Sequence, residues 1–172
     1  MSRASILSNV MSQTLQDEVE NTLLSVNFPW YSLRDIKSPV LLEKRNGFQH
    51  TFLDEAIGIN SPWFYLIEEI AKEFNLPTLV RSKAFLQIPL NNLKSNIDRP
   101  HVDHNAEHIT NLYFVKDSDG DTLIYENNKL IQSFTPKKGS IVTFPSDTLH
   151  TPIQPISNTR CVINIITLKE NL

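Results

Sequence analysis

The sequence predicts a mainly β protein with N-terminal helices, a β-sandwich or β-barrel whose one sheet is backed by two helices. Two observations carry this prediction. Helical periodicity is confined to the residues before Pro77, and six short segments rich in β-branched and aromatic residues follow, separated by turn clusters.

Met11, Leu15, Val19, Leu23 and Val26 recur at spacings of four and three, with Gln16, Asp17, Glu18 and Glu20 between them. This spacing predicts an amphipathic helix that Pro29 stops. The stretch from Phe28 to about Asn60 reads as loop with short strands. Ser61-Pro62 reads as an N-cap with proline at the first helical position, opening a second helix that ends near Asn75. Trp63, Leu66, Ile67, Ile70 and Phe74 form its apolar stripe. Phe28, Trp30, Tyr31, Trp63 and Phe64 form an aromatic group that reads mainly as core. The predicted strands are Lys83–Leu90, Ile109–Val115, Thr122–Tyr125, Leu130–Phe134, Ile141–Phe144 and Cys161–Leu168. Asp117-Ser-Asp-Gly-Asp121 reads as a hairpin turn, because its glycine sits too early for a calcium-binding loop.

With 172 residues, 40% hydrophobic and 20% charged, the chain fits one domain: helical support over about 1–80 and a β-core over about 81–172. A net charge of −3 and a pI near 5.9 provide no electrostatic reason to expect nucleic acid. Cys161 is the only cysteine, which excludes an internal disulfide. No apolar run approaches the roughly 20 residues of a membrane span, and the first ten residues lack a signal-peptide core. The expectation is a soluble, cytoplasmic protein.

The chemistry concentrates in His101-Val102-Asp103, His150 and Arg160. In extended backbone, residues i and i+2 share a face, so His101 and Asp103 can meet one ion together. His150 can complete a set of two histidines and one carboxylate, which leaves positions open and suits non-haem Fe(II). An isolated His-x-Asp also recurs by chance in surface loops. His104 and His108 are nearby competitors, read as non-ligating. Arg160 opens the most apolar strand of the chain, where a guanidinium is costly to bury without an anionic partner. Alternation puts Arg160, Val162 and Asn164 on one face, opposite Cys161, Ile163 and Ile165. Arg81, Lys83 and Arg99 can meet an acidic ligand or solubilise strand ends.

The order His-x-Asp, a histidine about fifty residues on, and an arginine ten residues after that resembles the Fe(II)/2-oxoglutarate-dependent oxygenases, particularly their prolyl-4-hydroxylase-like branch. The likeness covers roughly Ala84 to Thr167. Ile109-Thr-Asn-Leu-Tyr-Phe-Val115 is similar to the strand after His-x-Asp, Gly120-Asp-Thr-Leu-Ile124 to the next, and Pro136-Lys-Lys-Gly139 with Ile141–Phe144 to the turn and strand before the distal histidine. With four glycines, the chain carries fewer than these relatives usually do. The resemblance implies a double-stranded β-helix in which His101, Asp103 and His150 bind Fe(II). It further implies that 2-oxoglutarate chelates the metal and pairs with Arg160, helped by Tyr113 or Thr151, with Asn164 facing the same cavity. O2 and 2-oxoglutarate are then consumed, succinate and carbon dioxide formed, and a peptidyl or free amino acid hydroxylated. The other readings are a cupin-like metalloenzyme that does not use 2-oxoglutarate and a non-catalytic β-sandwich binding module.

Overall fold

In chain order the elements are β1 (Ser5–Leu7), α1 (Gln13–Leu23), β2 (Tyr31–Leu33), β3 (Gly47–Asp54), β4 (Gly58–Ile59), α2 (Phe64–Glu73), β5 (Leu79–Gln87), β6 (His108–Phe114), β7 (Thr122–Glu126), β8 (Lys129–Phe134), β9 (Ile141–Pro145), β10 (Leu149–Pro152) and β11 (Arg160–Leu168). They come from a computed structural model that describes residues 3–33, 45–91, 93–103 and 107–169. A major sheet runs β1-β9-β6-β11-β5-β3-β2, with β4 beside β3, and a minor sheet runs β10-β7-β8. Every strand pairing is antiparallel.

Two facing sheets and two helices bear out the predicted architecture, a double-stranded β-helix backed by helices. Alternation along the central strands builds two cores. Tyr113, Cys161, Ile163 and Ile165 join Val19, Leu23, Leu66, Ile67 and Ile70 under the helices. Leu112, Phe114 and Val162 take the other face, with Ile124 of the minor sheet. With both faces covered, β11 is buried from Arg160 to Thr167 and reads as an almost unbroken apolar run.

Both helices start and stop for local reasons. The Ser12 hydroxyl accepts the Leu15 N–H at 3.3 Å as the cap of α1. The helix ends at Leu23, and Val26 lies beyond it, 99% exposed, rather than in the buried stripe. Ser61 acts one turn ahead of α2: its hydroxyl accepts the Trp63 N–H at 3.2 Å, and the helix begins at Phe64. At the far end Asn75 takes φ 51°, and the Leu76 and Asn75 N–H groups bond to the Ala71 and Lys72 carbonyls. That is a Schellman stop, followed by Pro77.

The stretch expected to be loop with short strands holds β3, eight residues long, next to the edge of the major sheet between β5 and β2. Strand β5 starts earlier than expected and ends at Gln87, before Pro89. Asp117–Asp121 is not a hairpin turn, since it carries the chain from β6 in the major sheet to β7 in the minor one. Its carboxylates are structural: Asp117 accepts the Lys138 N–H, Asp119 the N–H groups of Ile156 and Ser157, and Asp121 the Ser133 hydroxyl. The true hairpin is β7–β8, where Asn127 and Asn128 at φ 50° and 60° form the two-residue turn that matches strand twist. Among the described residues no helix is long and apolar enough to cross a membrane.

Candidate active site

The bridge between His101 and His150 assembles the centre. The two residues exchange both backbone N–H···O bonds at 2.9 Å, although they lie far apart in sequence. Their rings come within 4.5 Å centroid to centroid. The Asp103 N–H donates to the Ser146 carbonyl at 3.2 Å, which ties the third residue to the turn before β10. One ligand atom each from His101, Asp103 and His150 lies within 4.8 Å of the others. His101 Nε2 is 3.8 Å from Asp103 Oδ1, and His150 Nε2 is 3.4 Å from Asp103 Oδ2.

The surroundings orient each ligand. His150 Nδ1 meets the Thr148 carbonyl at 2.9 Å and His101 Nδ1 the Arg99 carbonyl at 3.3 Å. A carbonyl only accepts, so each Nδ1 is the donor and each Nε2 is the ring atom turned toward the carboxylate. Thr110 donates its hydroxyl to Asp103 Oδ2 at 3.1 Å. Two imidazoles and one held carboxylate on the wall of an open cavity fit a divalent transition metal with positions left for other ligands.

That cavity, of ≈ 360 Å³, lies between the sheets. Alternate residues of β5 (Arg81, Lys83, Phe85, Gln87) and of β11 (Arg160, Val162, Asn164) line it together with Leu112, Thr122, Asp98 and the triad. Arg160 lies inside the protein and is 4% exposed. Its Nε donates to the Gly120 carbonyl at 2.9 Å, Nη1 to Gln87 Oε1 at 3.0 Å and Nη2 to Thr122 Oγ1 at 2.7 Å. Of five N–H donors, one on each Nη is left, the number a carboxylate takes in a fork. Burial pulls the guanidinium down to about 10 against the opposing pull of Asp98, so at neutral pH it is a cation. Glycine is required at 120, because a Cβ there would stand 2.6 Å from the Ile153 carbonyl oxygen and 2.9 Å from Arg160 Cδ.

Behind Arg160 runs a buried network that sequence reasoning missed. Gln87 Nε2 donates to Asp98 Oδ2 at 3.2 Å and to Gln154 Oε1 at 3.1 Å, and Asp98 is ion-paired to fully buried Arg45. Burial pushes the Asp98 carboxyl up, against Arg45, Arg160 and Gln87. A buried carboxylate needs such partners. Nothing local in the sequence marks Asp98 or Arg45, because their contacts span 53 and 11 residues.

Two expected co-substrate contacts are corrected. Tyr113 pairs with Ile163 across β6 and β11, so it shares the helix-facing side; its ring meets Phe74 edge-on and does not line the cavity. Thr151 follows His150 on β10 and therefore points to the opposite face, where its hydroxyl donates to the Asp98 carbonyl at 2.8 Å. Asn164 lines the cavity as alternation predicts. His108 begins β6 and is not part of the lining; His104 lies outside the described residues. Arg81 and Lys83 face the cavity, whereas Arg99 is exposed. Phe28, Trp30, Trp63 and Phe64 pack in the core, and Tyr31 is exposed.

With the histidine–carboxylate–histidine cluster and the buried cation placed, solved structures identify the fold that carries them. The chain is similar to an oxidoreductase of the 2OG-Fe(II) oxygenase family from Burkholderia pseudomallei, with a TM-score of 0.70, 10% identity, and coverage of 95% of this chain and 84% of that one. It is similar to a Trichoplax adhaerens prolyl hydroxylase solved with a hypoxia inducible factor peptide, with a TM-score of 0.68, 12% identity, and coverage of 96% and 83%. HygX from Streptomyces hygroscopicus, solved with nickel, 2-oxoglutarate and hygromycin B, matches with a TM-score of 0.59, 10% identity, and coverage of 96% and 82%. No protein-family model and no curated protein matches the sequence. The chain thus has the double-stranded β-helix fold of the 2-oxoglutarate/Fe(II) oxygenases.

Proposed function

We propose that this chain, as one catalytic domain over 1–172, is an Fe(II)- and 2-oxoglutarate-dependent oxygenase that hydroxylates a peptidyl or free amino-acid substrate. The observation that carries the reading is the meeting, in one cavity, of three ligand atoms within 4.8 Å and a buried arginine with donors to spare. His101, Asp103 and His150 hold the metal, and Arg160 takes the distal carboxylate of 2-oxoglutarate. Bound together, metal and co-substrate would let O2 act as the oxidant, one oxygen atom entering the substrate C–H bond and the other the succinate formed as 2-oxoglutarate loses carbon dioxide.

The protein's own part is orientation and dryness. Thr148 and Arg99 carbonyls hold each ring by its Nδ1 and turn its Nε2 toward the centre, Thr110 fixes the carboxylate, and Gln87 with Gly120 and Thr122 aims the guanidinium. Phe85, Leu112 and Val162 form apolar walls that limit water around the reacting groups. The buried cation also favours this reading over a cupin-like enzyme that does not use 2-oxoglutarate, where it would lack an anionic partner.

Anaerobic titration with Fe(II) and 2-oxoglutarate tests the proposal through the visible metal-to-ligand charge-transfer band. The expected result is a saturable band that Asp103→Ala abolishes. A folded, iron-loaded protein without the band overturns the 2-oxoglutarate assignment.

A further inference from the structure

Three polar side chains on the cavity wall are neither in the metal triad nor hydrogen-bonded to Arg160, and Asn164, expected at the co-substrate, is one of them. Asn164 is 6% exposed, and its Oδ1 is buried without a hydrogen-bond partner. Lys83 is its direct partner across β5 and β11, lines the same cavity, and makes no hydrogen bond or ion pair among the described residues. Arg81, next on that face of β5, makes one long contact, from Nη2 to the Asp103 carbonyl at 3.5 Å. A buried acceptor left unpaired is costly unless a ligand completes it, and the half-buried ammonium across the strand pair is placed to share that ligand.

Charge points to the sign of that ligand. A divalent metal, Asp103, doubly negative 2-oxoglutarate and Arg160 together cancel. Asp98 and Arg45 cancel as a pair. Lys83 and Arg81 remain, two positive charges on the wall with no anion beyond Asp98 and Asp103 among the described lining residues. Co-substrate does not supply one. Arg160 and Asn164 are four residues apart on β11, about 13 Å along the strand, so the carboxylate on Arg160 is out of reach of Lys83. The other co-substrate carboxylate goes to the metal.

We propose that Lys83, Asn164 and Arg81 form the recognition subsite for the primary substrate, and that this substrate carries a carboxylate with an N–H donor close to it. The carboxylate pairs with Lys83 and Arg81, while the N–H donates to Asn164 Oδ1. An amino acid acylated on nitrogen has both groups, as does the C-terminal residue of a peptide; a free amino acid presents the same pair through its ammonium. This assignment rests on the proposed function for its account of metal and co-substrate, but the subsite is made of the chain's own side chains.

The test uses N-acetylglycine, its neutral counterpart N-acetylglycinamide, and free glycine as probes. Each is titrated into the isotope-labelled protein, with and without diamagnetic Zn(II) and 2-oxoglutarate, while the Asn164 side-chain amide and the Lys83 ammonium are followed by NMR. Saturable shifts of both signals are expected with N-acetylglycine or glycine, but not with the amide. Whichever acid binds more tightly identifies an acylated or a free source. Lys83→Gln and Asn164→Asp are each expected to weaken the acid about tenfold or more, since a charge-assisted contact is lost or opposed. The proposal is overturned by equal binding of acid and amide, by equal affinity in Lys83→Gln, or by no saturable shift up to about 50 mM acid. A Lys83→Gln variant that loses 2-oxoglutarate affinity instead overturns it by assigning Lys83 to the co-substrate. Loss of the metal and 2-oxoglutarate response in wild type, with acid binding kept, removes the proposed function and leaves the carboxylate subsite standing.

Discussion

Gln87 and Arg160 sit opposite each other in the β5–β11 register, and a single amide joins the buried cation to a buried anion. Gln87 Oε1 accepts from Arg160 Nη1 at 3.0 Å while Nε2 donates to Asp98 Oδ2 at 3.2 Å. The amide satisfies both ionised groups and keeps them apart, so Arg160 stays available to an incoming carboxylate. Gln87→Glu places a competing carboxylate on Arg160 and repels Asp98. The 2-oxoglutarate affinity should fall about tenfold to a hundredfold, the size of one hydrogen bond to a charged group. Gln87→Ala should fall less. Titration of the charge-transfer band checks both.

The triad makes a prediction that does not depend on turnover. A metal that binds only the folded state raises the melting temperature as its concentration rises. Mn(II) or Ni(II) should therefore stabilise the wild type, and a chelator should reverse the shift. Asp103→Ala and His150→Ala should melt at the same temperature with and without metal. A metal-dependent shift that survives in both variants would remove these residues from the site.

The Gly120 backbone lies close against Arg160, accepting from its Nε at 2.9 Å. Gly120→Ala should cost about 1–3 kcal/mol of stability through overpacking against the Ile153 carbonyl and Arg160 Cδ. It should also weaken 2-oxoglutarate binding, because Arg160 Cδ must move. Urea melts and co-substrate titration on the same sample separate the two effects.

His50 is buried between the Pro29 carbonyl and the Ser61 hydroxyl, and burial lowers its pKa below the ordinary 6.5 in spite of the Pro29 contact. Below 6.5 the unfolded chain binds a proton that the folded one resists. Stability is therefore full above 6.5 and falls as pH drops through that value toward the folded pKa. Urea midpoints measured from pH 8 to 5 should decline, and His50→Gln, which keeps a donor and an acceptor in place, should decline less. Equal slopes would assign the acid sensitivity to other groups.

Much of the site was legible because it depends on strand periodicity. Arg160, Val162 and Asn164 line the cavity, and Cys161, Ile163 and Ile165 face the helices, as a period of two requires. The same rule could have excluded Thr151, since a residue adjacent to His150 in a strand cannot share its face. Tyr113 was different. Its strand was correct, but which face of β6 meets the cavity depends on the register that sets Tyr113 against Ile163 and Leu112 against Asn164. Strand β3 was hidden because a buried histidine, held by Ser61 and Pro29, interrupts its apolar alternation.

The sequence by itself determined the features that local spacing sets: the two amphipathic helices, the β-rich second half, the histidine–carboxylate pair and the face on which Arg160 lies. Only the tertiary structure decided what surrounds those groups. The His101–His150 bridge, the Gly120 approach and the Arg45–Asp98–Gln87 network join residues from 11 to 73 positions apart. No local pattern records them, because a buried ion is satisfied by whichever chain segment the sheet register brings beside it.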